Sequence, residues 1–130
     1  MSQQRQGSSS PLKVWINGLS GRMGAILKDM IAADQEFVFL SGANVDDFEE
    51  KVKSLSQADL IIDFSTTEGS QRLASYLVKQ TNLSGQAYLV CTTGLSHDTT
   101  ALWQTVGRDK GHRVLLAPNT SLGVYLTLKA

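Results

Sequence analysis

Chemistry-bearing residues gather in five short segments of this chain. Asn17–Gly24, Gly42–Asp47, Asp63–Gly69, Cys91–His97 and Ala117–Gly123 are all rich in Gly, Ser, Thr, Asn or Asp. The first is the most specific. Gly18, Gly21 and Gly24 stand three residues apart, after an apolar run and before a helical pattern. That arrangement suits anion binding. Gly18 permits a sharp exit from a strand, and Gly21, without a Cβ, lets backbone N–H groups approach a pyrophosphate at the helix N-terminus. Gly24 lets the helix pack close against a sheet. The spacing departs from strict G-x-G-x-x-G because Ser20 intervenes, and a glycine triplet alone is weak evidence. Arg22 has the reach to touch phosphate, although a first-turn Arg is ordinarily just solvated.

Asp46 lies 22 residues after Gly24. That is near the roughly 20-residue offset of an acid that holds the adenosine ribose hydroxyls. A carboxylate there favours NADH, because the 2′-phosphate of NADPH would meet like charge. Asp47 adds to the repulsion, and no Arg is adjacent in the chain. A solvated Asp pair capping a helix at Phe48 explains the same residues, and both readings hold together with Asp46 on the ribose and Asp47 toward the helix.

These segments need elements to carry them. Five apolar runs alternate with amphipathic stretches: Leu12–Ile16, Phe37–Leu40 breaking at Gly42, Leu60–Ile62, Tyr88–Val90 and Val114–Ala117. Met23, Ile26, Leu27, Met30 and Ile31 recur at helical spacing, with Ser20 as the expected cap. Phe48, Val52 and Leu55 mark a shorter helix. Leu73, Leu77 and Val78 mark another from about residue 68 to 80. Leu102, Trp103 and Val106 mark a fourth, closed by Gly107 or Gly111. A last apolar stretch, Leu122–Leu128, begins a further helix. Continuous apolar runs suit strands buried on both faces. The expected fold is therefore α/β: a Rossmann-like parallel sheet with helices on both faces, as a single domain. All five polar segments then follow strands and share one sheet edge, where ligands of open α/β sheets bind. Turns are polar anyway, but that explains one or two such segments better than five.

Composition narrows the partners. The chain has 130 residues, 42% of them hydrophobic, with 12 Lys+Arg against 12 Asp+Glu. Zero net charge gives no whole-molecule attraction to nucleic acid or membrane. No run approaches the roughly 20 apolar residues of a membrane span, and the polar start is no secretory signal. A soluble, reduced, cytoplasmic protein is expected. Residues 1–11 read as a flexible tail and 12–130 as the dinucleotide-binding domain. One cysteine and two histidines leave no disulfide and no metal site. Cys91 reads as a buried inert thiol, His97 and His112 as loop residues, and Trp15 and Trp103 as core.

Gly21-Arg22-Met23-Gly24, Asp63-Phe64-Ser65 with Glu68-Gly69, Thr92-Thr93-Gly94, and Ala117-Pro118-Asn119 with Ser121 and Gly123-Val124 occur in that order. Together they resemble the N-terminal cofactor domain of the dihydrodipicolinate reductases, also called 4-hydroxy-tetrahydrodipicolinate reductases. The resemblance covers about residues 12–130. It implies that Gly18, Leu19, Ser20, Gly21, Arg22 and Met23 hold the pyrophosphate and Asp46 the adenosine ribose. Phe64 and Ser65 would sit beside the dinucleotide. Cys91, Thr92, Thr93 and Gly94, with Ala117, Pro118, Asn119 and Thr120, would line the nicotinamide end. NADH is the expected cofactor, with NADPH also accepted. Family members transfer hydride from nicotinamide C4 to a cyclic imine-type dicarboxylate with loss of water, on the route to diaminopimelate and lysine.

Four residues depart from the family pattern. Cys91 replaces the usual Gly before T-T-G, Thr120 a large residue after A-P-N, and Tyr125 the Asn after G-V. Asp47 stands where NADPH-accepting members often carry Arg, which sharpens the NADH preference. The family's second domain supplies a His-rich motif and a Lys that hold the dicarboxylate and provide the proton. It also builds the oligomer interface. No such motif occurs in these residues, so no catalytic residue is assigned here. The chain is expected to bind dinucleotide with negligible turnover alone, and to meet substrate and form homo-oligomers only with that second domain. The alternative is a free-standing nucleotide- or CoA-binding module, such as a redox sensor, that keeps the fold without the chemistry.

Overall fold

The computed structural model describes residues 10–81 and 85–117. Five strands and four α-helices alternate: β1 (Leu12–Asn17), α1 (Arg22–Ala32), β2 (Phe37–Ala43), α2 (Phe48–Lys51), a 3-10 turn (Val52–Gln57), β3 (Leu60–Asp63), α3 (Thr67–Lys79), β4 (Ala87–Val90), α4 (His97–Asp109) and β5 (Arg113–Leu116). All neighbouring strands are parallel, in the order β2-β1-β3-β4-β5. The expected α/β sheet is what forms.

Topology dictates which face each helix covers. The chain steps one way from β1 to β2 and the other way from β2 to β3, β4 and β5. Right-handed crossovers therefore put α1 on one face and the later helices on the opposite face. The core divides accordingly. Val14, Ile16, Ile62 and Cys91 pack with Leu27 and Ile31 of α1. Trp15, Ile61, Tyr88 and Val90 pack with Phe48, Leu55, Leu73, Leu77, Trp103 and Val106. Each fully buried large side chain contributes about 1.5–3 kcal/mol of apolar transfer.

Burial on both faces holds for the interior strand β1, where Val14, Trp15 and Ile16 are sealed. It fails at the sheet edges. Val38 of β2 and Leu115 of β5, both on edge strands, are exposed. Gly42 does not break β2, which runs on to Ala43. Ile26, expected on the buried stripe of α1, is exposed, while Gly24, Leu27 and Ile31 face inward.

The amino-terminal sheet edge is locked by Gln86. Its amide donates to the carbonyls of Leu55 and Ala58, both at 2.8 Å. Its carbonyl accepts from the Tyr88 hydroxyl at 2.8 Å. Its backbone N–H donates to Nδ1 of His112 at 3.3 Å. His112 is the loop residue just before β5, as expected, but it is buried, and burial with nearby Lys110 lowers its pKa. His97, by contrast, is not in a loop. It is the first residue of α4, under the Ser96 cap. Gly111, with φ +76°, follows the end of α4. The expected tail through residue 9, the segment from Pro118 and the last apolar stretch lie outside the described residues.

Candidate functional site

The sheet direction reverses between β1 and β3, so the carboxyl ends of those strands frame the cleft that such topology offers. Gly18 leaves β1 at φ +94°, and a Cβ there would lie 2.6 Å from the Phe64 carbonyl. The N–H groups of Gly18 and Leu19 both donate to Ala43 O, at 2.9 and 3.1 Å. The turn is thus pinned to the ends of β2 and β3 together. A Cβ on Gly24 would run into the Leu19 carbonyl.

Gly21 differs from both. It is exposed, and a Cβ there would meet only Gly18 O at 3.6 Å. It is also the N-cap of α1, in extended conformation, without a side-chain cap. Ser20 does not cap α1 as expected, because the helix starts one residue later with Gly21 at the N-cap; the Ser20 backbone N–H donates to Asn44 Oδ1 at 2.6 Å. Among the described residues, the amides of Arg22 and Met23 take no partner. These open donors and the positive end of the helix dipole meet at Gly21. The geometry fits a pyrophosphate, since Gly21 leaves the approach clear.

The loop after β2 carries the acids. Asp46 is exposed and makes no hydrogen bond or ion pair among the described residues. Asp47 precedes α2 but does not cap it. Its carboxylate turns back to accept from the Asn44 N–H at 2.8 Å, which steadies Asn44 under Ser20. An arginine does stand beside this loop in space. Arg72 of α3 donates from Nη1 to Val45 O at 3.1 Å, with its guanidinium 5.2 Å from the Phe48 ring centroid. No local signal announced it, because Arg72 is 26 positions from Asp46.

A buried polar knot ties the strand ends together. Asn17 and Asp63 are register partners at the ends of β1 and β3. Asp63 Oδ1 accepts from Asn17 Nδ2 at 3.1 Å, Ser65 N at 3.2 Å and Ser65 Oγ at 2.6 Å. Asn17 Nδ2 also approaches Gly69 O at 3.2 Å. The Thr92 hydroxyl points at the carbonyls of Ser65 and Asp63, at 3.2 and 3.4 Å. Ser65 is therefore committed to the knot as well as lying at the cleft. Asn17 was missed in the sequence, yet a polar residue closing an apolar strand just before Gly18 is a readable sign.

Asp63 Oδ2 has no hydrogen-bond partner among the described residues. Burial raises the Asp63 pKa above its ordinary 3.8, against the opposing hydrogen bonds of Ser65, Ser70 and Asn17. An acid raised on folding contributes stability that is complete below 3.8 and is lost as pH rises through the folded value. Asp63→Asn has no such loss. Its thermal stability relative to wild type is expected to improve as pH rises above 3.8, until the folded Asp63 is fully ionised. Melting curves that stay parallel across that range would contradict the raised pKa.

The remaining expected site residues divide. Thr93 and Gly94 are exposed at the edge, and Gly94 O accepts from the Thr67 hydroxyl at 3.3 Å. Leu19 and Phe64 are half-buried against the α1-side core. Thr92 is buried with its hydroxyl turned inward. Cys91 is fully buried, so its side chain does not reach the cleft. Burial, followed by the charge of Asp63, pushes its thiol up to about 12, as an inert cysteine requires. Ala117 is half-buried and donates to Val90 O at 2.8 Å. Pro118, Asn119 and Thr120 lie outside the described residues.

Among the described residues no cluster of three or more His, Cys, Asp or Glu side chains could hold a metal. No helix among them is long and apolar enough to cross a membrane. A separate cleft of about 390 Å³ lies between α4 and β5, lined by Trp103, Gly107, Arg108 and Val114, and contains no part of the glycine turn.

A parallel α/β sheet with a glycine turn at its switch point and open amides at the following helix defines a Rossmann-like domain. The family described as "Dihydrodipicolinate reductase, N-terminus" matches residues 12–120, and the chain belongs to it. Its relatives include proteins named 4-hydroxy-tetrahydrodipicolinate reductase. One from Coxiella burnetii (strain RSA 493 / Nine Mile phase I) is 32% identical over 118 residues, 91% of this chain and 48% of the relative. One from Campylobacter jejuni subsp. doylei is 32% identical over 127 residues, 92% of this chain and 46% of the relative. One from Chlamydia felis is 28% identical over 116 residues, 88% of this chain and 45% of the relative. The chain spans about half the length of these relatives.

Proposed function

We propose that residues 12–130 form the nicotinamide-dinucleotide-binding domain of a 4-hydroxy-tetrahydrodipicolinate reductase, acting in diaminopimelate and lysine biosynthesis. The observation that carries this reading is the open N-terminus of α1. Gly21 leaves the Arg22 and Met23 amides accessible, inside a turn fixed by Gly18, Ala43 and Asn44. These donors hold the pyrophosphate. Asp46 takes the adenosine ribose hydroxyls and tilts the preference toward NADH. Ser65, Thr93 and Gly94 flank the path toward the nicotinamide, and by the family resemblance Ala117, Pro118, Asn119 and Thr120 contribute to the nicotinamide end.

When bound, the reduced nicotinamide supplies a hydride at its C4. The chain's own residues fix the position of that ring. The Asn17–Asp63–Ser65 knot holds the β3 loop, and the Thr67–Gly94 bond holds the β4 loop beside it. Reduction also needs a cyclic dicarboxylate and a proton donor held at the ring. Orientation of both partners provides much of the rate in such reactions. Residues 1–130 alone therefore bind cofactor with negligible turnover, in the cytoplasm, and the dicarboxylate and any homo-oligomer contacts belong to a second domain.

Titration of the purified 130-residue chain with NADH, followed by nicotinamide fluorescence, tests this. Saturable binding of NADH, no binding of CoA and negligible reductase turnover are expected. Binding of CoA without NADH would replace this reading with a coenzyme-binding module. Turnover matching a two-domain relative would refute the need for the second domain.

A further inference from the structure

The acids after β2 argue against NADPH, but they do not act alone. Arg72 is exposed on the second turn of α3 and reaches across to the loop that carries Asp46. Two contacts fix it there: Nη1 donates to Val45 O at 3.1 Å, and the guanidinium lies over the Phe48 ring. Phe48 is itself buried and packed edge-on against Tyr76, one turn further along α3. Arg72 therefore rests on a fixed platform rather than sweeping through solvent.

Its charge is unspent. Arg72 makes no salt bridge among the described residues, although Asp46 and Asp47 stand in the same loop. A guanidinium has five N–H donors, and one of them is used on Val45. A fixed, unpaired guanidinium beside the expected ribose site has the chemistry to meet a 2′-phosphate bidentately.

We propose that Arg72 is a specificity-determining residue of the dinucleotide site. It faces the 2′-phosphate of NADPH and offsets the repulsion from Asp46 and Asp47, so that the domain accepts both dinucleotides while favouring NADH. This assignment rests on the reading of the edge as a dinucleotide site. No Arg is adjacent to Asp46 in the chain, so the guanidinium is supplied from a distance. The arginine comes from α3, not from the loop itself.

The test compares dissociation constants of NADH and NADPH for the 130-residue chain and for Arg72→Gln and Arg72→Lys. Arg72→Gln is expected to weaken NADPH about tenfold, the value of one hydrogen bond to a charged group. NADH should change by less than about twofold, since it has no 2′-phosphate to lose. Arg72→Lys keeps the charge but not the planar fork, and is expected to restore only part of the NADPH affinity. Raising salt should improve NADPH binding relative to NADH more in Arg72→Gln, where the repulsion from Asp46 and Asp47 is unopposed, than in wild type. Equal weakening of both dinucleotides by Arg72→Gln would mean that Arg72 only staples the loop through Val45, and would overturn the proposal. An unchanged NADPH constant would overturn it too, while leaving the dinucleotide site standing. Failure of wild type to bind either dinucleotide would remove the site and the assignment together.

Discussion

Gly24→Ala is expected to destabilise the fold by about 3 kcal/mol, at the upper end of overpacking costs. Two opposing effects meet at this helix position. Alanine in an open helix interior stabilises by about 1 kcal/mol relative to glycine. Here the added methyl would run into the Leu19 carbonyl, with Gly18 O at 2.8 Å behind it. Both obstacles are backbone, and both belong to a turn pinned to Ala43. Neither can rotate aside as a side chain would. Relief requires α1 to lift from the sheet, which loosens Leu27 and Ile31 from Val14 and Ile16. A fall in melting temperature of roughly 10 °C is expected for a domain of this size. A variant more stable than wild type would show that α1 does not sit against the glycine turn.

Gly21→Ala should do the reverse, sparing the fold and removing the ligand. The backbone of Gly21, at φ −73° and ψ 170°, suits any residue, and its Cβ would meet only Gly18 O at 3.6 Å. Alanine is a poorer N-cap than glycine, so a loss below about 1 kcal/mol is expected. NADH binding should weaken about 10- to 100-fold, because the methyl keeps the pyrophosphate from amides worth about 1.5–3 kcal/mol each to a charged group. Thermal melting and fluorescence titration of the same preparation separate the two effects. Unaltered NADH affinity would place the phosphates elsewhere. The two glycines stand three residues apart in one motif, yet the substitutions are expected to fail in different ways.

Much of the fold was legible because its signals are local. Val14-Trp15-Ile16 and Leu60-Ile61-Ile62 are unbroken apolar runs, and central parallel strands need such runs. The three-residue glycine spacing likewise marked the strand–turn–helix. Cys91, read as a buried thiol, follows β4 with its side chain turned into the core. What escaped is long-range. Ser20 has the chemistry of a cap, but α1 begins after Gly21, and the Ser20 backbone is tied to Asn44 of the next loop. Asp47 has the chemistry of a cap too, and it instead bonded to Asn44. Arg72 reaches its loop only because α3 packs against Phe48. Position along the chain does not encode such contacts.

The pyrophosphate is expected at the α1 N-terminus. Backbone amide shifts of the isotopically labelled chain during NADH titration test it most directly. The largest shifts are expected at Gly21, Arg22 and Met23, with a second group at Asn44–Asp47. Shifts centred instead on Trp103, Gly107 and Val114, in the cleft between α4 and β5, would contradict the account.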